Sequence, residues 1–270
     1  MSPIVALTVV VVGFASGILS GMFGVGGAVL TTPGVRVLGA TPIEAVGSTL
    51  PAILPGALSG AWRYSKAGMV DWGVALPSGL LGSGFAVGGA ALSDHVNGHY
   101  LMLLTAAMLL YSGLHNMRET LAARTPVEAP IGGSTVQPDG VEPVTSTRAS
   151  TPIVAVVGAL AGLMAGLLGI GGGVLLVPAY TLALRIPPKR AVATSLVAVA
   201  MFSMPAMVTH ALLGHINWAF ALLLVVGVVP GAQLGARMTI RGSDMRLRLL
   251  MGLFFTVLAL VYGGAELAAL

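Results

Sequence analysis

The stretch Gly162-Leu-Met-Ala-Gly-Leu-Leu-Gly-Ile-Gly-Gly-Gly-Val-Leu-Leu-Val-Pro178 decides the reading of this chain. It lies deep in apolar sequence, yet Gly169, Gly171, Gly172 and Gly173 crowd into five positions. Glycine costs a helix about 1 kcal/mol per residue relative to alanine, so the cluster predicts a helix that breaks. The same pattern stands earlier as Gly17-Ile-Leu-Ser-Gly-Met-Phe-Gly-Val-Gly-Gly-Ala-Val-Leu-Thr-Thr-Pro33, with Gly24, Gly26 and Gly27 in the matching places. Glycines, aliphatic residues and the closing proline coincide at a constant offset.

Further outward the correspondence continues. Ala45-Val-Gly-Ser-Thr-Leu50 matches Ala191-Val-Ala-Thr-Ser-Leu196, and Gly68-Met-Val-Asp-Trp72 matches Gly214-His-Ile-Asn-Trp218. Three ordered blocks at nearly one spacing predict two homologous halves, 1–117 and 152–270, a layout found in many transporters. Between them, 118–151 is a polar, Pro-rich linker. It holds Pro126, Pro130, Pro138 and Pro143 and four of the chain's nine acids, with no apolar periodicity, and it reads as solvated and largely unstructured.

Composition fixes the class. Hydrophobic residues make up 56% of the 270 and charged residues only 8%, against about 25% charged in an ordinary soluble domain. Runs such as Val5–Phe23, Ile153–Leu184 and Ala219–Leu234 approach or exceed the roughly 20 residues that cross about 30 Å of hydrocarbon. The expectation is an all-α polytopic membrane protein with lipid as its surroundings and four hydrophobic segments per half. The formal charge of +4 does not point to nucleic acid, because Lys and Arg are scattered between apolar segments rather than massed with aromatics. Cysteine is absent, which excludes disulfides and thiolate sites. No basic region precedes the first apolar run, so no cleavable signal peptide is expected.

A Gly-x-Gly-Gly-Gly stretch, a proline about five residues on, an Ala-x-x-Thr-Ser-Leu block and a Gly-x-Ile/Val-Asn/Asp-Trp block, in that order, resemble the TauE/SafE family of membrane transporters. The resemblance covers both halves and leaves out only the linker. It is tighter in the second half; the first has Ala28 for the third glycine and Ser48-Thr49 in inverted order. It implies export or uptake of sulfite, sulfonates or related organosulfur anions, in a bacterial plasma (inner) membrane.

Two topologies compete. The segments run roughly 4–38, 43–62, 73–93 and 99–117, then 152–184, 191–211, 217–236 and 247–265. If all eight cross, Lys and Arg divide five against eight, a poor fit to their bias toward cytoplasmic loops. If segments one and five dip in and return at the glycines, each half crosses three times and the halves are inverted. Lys and Arg then divide twelve against one, with only Arg36 opposite. A straight helix of some 33 residues would also reach about 50 Å, well beyond the membrane core, which favours inversion.

The glycine breaks are the leading site candidates: Gly24, Gly26 and Gly27 with Gly169, Gly171, Gly172 and Gly173. A helix restarting at Ala28 or Val174 would aim free N–H groups and a positive dipole end at an anionic solute. The alternative is tight helix packing, which Gly17/Gly21 and Gly162/Gly166 supply unaided. Ser48-Thr49 and Thr194-Ser195 are the second candidates, as hydroxyl donors to an oxyanion; Ser and Thr also commonly bond back to their own helix carbonyls. Pro33 and Pro178 read as helix ends or kinks. Gly24-x-Gly26 and Gly169-x-Gly171 lack the βαβ unit a dinucleotide loop needs. His95 and His99 flank Asn97-Gly98, which reads as a loop rather than a metal site. His210 and His215, Trp72 and Trp218 read as interfacial anchors, and Glu44 as a helix-start residue. Neither a cofactor nor a metal is expected, and no catalytic pair is recognisable. The expectation is therefore a carrier of small anions working by alternating access, export favoured, with a homo-oligomer left open. A gated anion channel and, further off, an intramembrane enzyme are the other classes.

Overall fold

A computed structural model describes residues 2–93, 95, 98–122, 151–169 and 171–267. Among them the chain forms ten α-helices and no strand: α1 (Pro3–Phe23), α2 (Ala28–Val37), α3 (Pro42–Lys66), α4 (Trp72–Leu92), α5 (Gly98–Ala122), α6 (Thr151–Leu168), α7 (Gly173–Leu182), α8 (Pro188–Leu212), α9 (Trp218–Arg241) and α10 (Asp244–Leu267). Four of the described helices, α1, α4, α8 and α9, are long and apolar enough to cross a membrane. Both long apolar segments break at their glycines, into α1–α2 and α6–α7. Helix α5 runs on to Ala122, past the expected start of the linker at 118. The rest of the expected linker, 123–150, lies outside the described residues.

Local chemistry sets the helix starts. Ser2 caps α1 by accepting from the Val5 amide, with Pro3 in the first turn. Thr41 and Glu44 form a reciprocal capping box at α3, the Glu44 carboxylate accepting from the Thr41 amide and hydroxyl at 2.9 Å each. This is the helix-start role expected for Glu44. Trp72 and Trp218 open α4 and α9 about half exposed. Pro33 and Pro178 do not end their helices: each sits inside its ten-residue helix. Proline there forfeits one backbone hydrogen bond, which a short helix wedged among neighbours tolerates.

Packing follows the small residues. Gly13, Gly17 and Gly21 of α1 lie in turn against Leu224, Val228 and Ala232 of α9, so these helices run parallel with backbones in contact. Gly158, Gly162 and Gly166 of α6 lie likewise against Ser78, Gly82 and Ala86 of α4. A side chain at Gly17 or Gly162 would drive into a carbonyl of the facing helix, so only glycine permits the approach. After the break α2 turns back along α1, setting Gly34 against Val12, and α7 turns back along α6. The packing pairs come in couples: α1 on α9 with α6 on α4, and α3 on α9 with α8 on α4. The α3–α8 pair fills the centre and α5–α10 flanks it.

The core lies along α3 and α8, with Leu50, Ile53, Tyr64, Leu196, Val199 and Phe202 almost fully buried. The outer faces of α1, α4, α9 and α10 expose Leu7, Leu80, Leu222, Val226 and Leu260. Such a surface would drive aggregation in water and is matched to lipid.

Gly162→Val should part α6 from α4 and destabilise the protein by about 1–3 kcal/mol or prevent folding. Thermal unfolding in nanodiscs reads this, with Gly84→Ala as control. The added methyl at Gly84 meets nothing within 4 Å and removes a mid-helix glycine, so its melting should match or slightly exceed the parent's.

Candidate functional site

The two breaks end and restart their helices in the same way. Gly24 and Gly169 take left-handed φ of 72° and 62°, and their amides close the last turns on Ser20 O and Ala165 O at 2.8 and 3.0 Å. Gly27 and Gly172, at φ 85° and 66°, stand as N-caps of α2 and α7 with no side chain to cap the first amides. Gly26 and Gly171 between them are also left-handed, at 88° and 82°.

The fold brings these seven glycines together. Gly171 lies beside the Gly26 Cα, and Gly173 beside the Gly24 carbonyl and Val25. The two segments therefore run side by side in opposite directions. Gly171 also meets Ile53 and Val199, which are mid-helix residues of α3 and α8, so the crossing sits halfway along the central pair. All seven glycines are buried.

Backbone groups freed by the breaks find side chains from other helices. Tyr64 Oη donates to Gly21 O at 2.8 Å, Thr239 Oγ1 to Met22 O at 3.2 Å, and Ser195 Oγ to Gly24 O at 3.1 Å. His210 Nε2 meets Gly166 O at 3.2 Å.

The Ser/Thr pairs lie beside the breaks and are fully buried. Ser48 Oγ accepts from the Asn217 amide at 2.8 Å, and Thr194 Oγ1 accepts from the Asp71 amide at 3.0 Å. Each therefore pins the loop ahead of α9 or α4. Thr49 donates back to Val46 O at 2.9 Å, and Ser195 divides its proton between Val192 O and Gly24 O. The hydroxyls at these positions thus hold the scaffold together around the glycine crossing.

Sequence reasoning passed over Ser16 and Ser20. Ser16 Oγ donates to the Gly27 carbonyl. Ser20 Oγ is buried and meets no partner among the described residues. It borders a cavity of about 10 Å³ lined by Ser16, Ser20, Val25, Gly27, Val29 and Phe254, among others, at the N-terminal end of α2. A space of that size is close to the minimum for one water. In the second half Ala161 and Ala165 occupy the matching positions, and the Ala161 carbonyl and Phe202 ring close over Gly172. The substitution of Ser for Ala inside otherwise matched blocks was the available signal. A wider groove of about 440 Å³, lined by Val11, Val12, Leu30, Pro33, Leu258 and neighbours, is apolar and flanks α2.

Among the described residues no three His, Asp or Glu gather as a metal site. His95 lies in a turn; the His99 side chain is outside the described residues.

Broken helices on a lipid-matched helical scaffold define a polytopic membrane protein, and its family makes it a transporter. The comparisons with known proteins agree. The sulfite exporter TauE/SafE family profile matches residues 9–262, and the chain belongs to that family. It is 32% identical over 272 residues to the probable membrane transporter protein YunE of Bacillus subtilis, covering 94% of this chain and 97% of that one. A probable membrane transporter protein of Xylella fastidiosa is 31% identical over 236 residues, 86% of this chain and 82% of its own. One from Methanocaldococcus jannaschii is 22% identical, over 93% and 92%. No solved structure matches the chain.

Tyr64→Phe leaves the Gly21 carbonyl without its hydroxyl donor and should cost about 1–3 kcal/mol of stability. Tyr111→Phe, at an exposed position, should leave the unfolding curve in place.

Proposed function

We propose that this transporter exports a small oxyanion, sulfite or a sulfonate, across the plasma membrane by alternating access, with the glycine crossing as its solute site. The observation that carries the reading is the α2 N-terminus. It opens on a cavity bordered by the unpartnered hydroxyl of Ser20 and has no side-chain cap. A helix N-terminus attracts an anion through its free amides and dipole, without a buried formal charge. Ser20 adds a hydroxyl donor there, and the Gly24, Gly26, Gly27, Gly169, Gly171, Gly172 and Gly173 backbone lets the solute approach closely.

A cavity of about 10 Å³ is too small for an oxyanion, so the crossing segments part to admit one. Packing of the two segments on each other closes the path in this conformation, which suits a carrier better than a channel. The coupled packing pairs support two equivalent halves moving against each other. The fold-back of α2 and α7 supports an inverted relation, with three crossings in each half. So do the helix ends: Arg63 lies close enough to Arg237 and Arg241 for their charges to act on it, and Asp71 bonds Thr194. In the eight-crossing alternative, Arg63 would face the opposite side from Arg237 and Arg241. A negative-inside potential favours efflux of an anion by about 2.3 kcal/mol per charge per 100 mV.

Proteoliposomes holding purified protein should move labelled sulfite or a sulfonate saturably, and sulfate or chloride less. A hydrogen bond to a charged group contributes about 1.5–3 kcal/mol, so Ser20→Ala should raise the apparent KM roughly tenfold or more. A silent anion panel from folded protein would return the solute to unknown. Topology is separately testable on this cysteine-free background. Arg63→Cys and Arg190→Cys should label from the same side, and labelling from opposite sides would overturn inversion.

A further inference from the structure

Helices α3 and α9 finish together. Gly47 of α3 lies against His215 just ahead of α9, and further along Ser59 Oγ donates to Val229 O at 3.2 Å, so the two run parallel. Their last turns carry Arg63 and Lys66 on α3 and Arg241 on α9, with Arg237 one turn earlier. Arg63 follows Ser59 by one turn, on the side that meets α9, which brings it into range of the Arg237 and Arg241 charges.

A helix C-terminus attracts cations through its dipole, which accounts for a basic residue at either end taken singly. It does not account for arginines from two helices converging on one seam, where they repel one another. No acid offsets them. Asp244, three residues beyond Arg241, pairs with Lys189 at 3.4 Å, and among the described residues no carboxylate pairs with Arg63, Arg237 or Arg241. The cluster leaves uncompensated positive charge at one place on the surface.

The neighbouring side chains set its depth in the bilayer. Trp62, beside Arg63, is about half exposed, and Lys66 Nζ lies 3.9 Å from its ring centroid. Tryptophan and lysine together belong at the membrane–water boundary, where the ring sits at headgroup level and the ammonium reaches water. One turn deeper Leu58 is exposed on α3, and Leu234 and Met238 are exposed on α9. Charged groups thus stand over an apolar strip that faces hydrocarbon. A soluble anion would use the charges alone. A phospholipid uses both, its phosphate meeting the guanidinium groups and its chains lying on Leu58, Leu234 and Met238.

We propose that Arg63, Arg237 and Arg241 bind the phosphate of an anionic phospholipid at the end of the α3–α9 seam. The site needs only the membrane placement of the chain and is independent of the solute. Trp62 reports on it directly. Trp72→Phe with Trp218→Phe leaves Trp62 as the single tryptophan, in bilayers that carry a brominated, quenching chain on either phosphatidylglycerol or phosphatidylcholine. Brominated phosphatidylglycerol should quench Trp62 as though enriched roughly tenfold over its mole fraction, and brominated phosphatidylcholine in proportion to it. Adding Arg237→Gln and Arg241→Gln should bring phosphatidylglycerol down to the phosphatidylcholine level. Arg36→Gln with Arg246→Gln removes as much charge elsewhere and should keep the enrichment. Equal quenching by the two lipids, or enrichment that survives the loss of Arg237 and Arg241, would overturn the site. Enrichment lost equally in the Arg36 and Arg246 variant would make the attraction general and overturn it too. Relief of the quenching by inorganic phosphate at constant ionic strength would assign the cluster to a soluble anion and overturn the lipid.

Discussion

Bilayer hydrocarbon offers no water to a backbone N–H or C=O, so every break in a membrane helix must be satisfied from within the protein. That constraint accounts for most of the buried polar chemistry in this chain. Tyr64, Thr239, Ser195 and His210 each reach across to a carbonyl near the end of α1 or α6. Ser48 and Thr194 hold the amides at the starts of α9 and α4. Removing such a partner strands a polar group, at a cost greater than the net worth of the bond itself. The breaks at Gly24–Gly27 and Gly169–Gly173 persist because a shell of hydroxyls and one imidazole surrounds them.

The helical segments and the two breaks were legible in the sequence because they follow from composition and from clustered glycine, both local signals. Segments 43–62 and 73–93 correspond closely to α3 and α4. Of the two roles expected for Pro33 and Pro178, the helix end is excluded, since proline tolerance depends on neighbours that a local reading does not see. Nor could sequence reveal that the hydroxyls at 48 and 194 accept from amides 169 and 123 residues away. The Tyr64 and His210 hydrogen bonds span 43 and 44 residues and link different helices. Aligning the halves puts these two residues at equivalent positions, but the alignment does not say which carbonyl they serve.

The halves share a plan and differ in polarity where it bears on function. Around the first break stand Ser16 and Ser20, with a small cavity; around the second stand Ala161 and Ala165, with Phe202 closing over Gly172. At the position that serves the carbonyl one turn before each break, the second half has His210 and the first has Tyr64. On the proposed reading both halves line the crossing and the first supplies its free hydroxyl. Duplication supplies the scaffold, and substitution at matched positions sets the halves apart.

The most direct test of the central claim is anomalous diffraction from crystals grown with selenite, the heavier congener of sulfite. The account predicts a selenium peak at the glycine crossing, beside the α2 N-terminus and Ser20, with the two segments drawn apart. A peak elsewhere in the helical body, with the crossing unchanged, would contradict it.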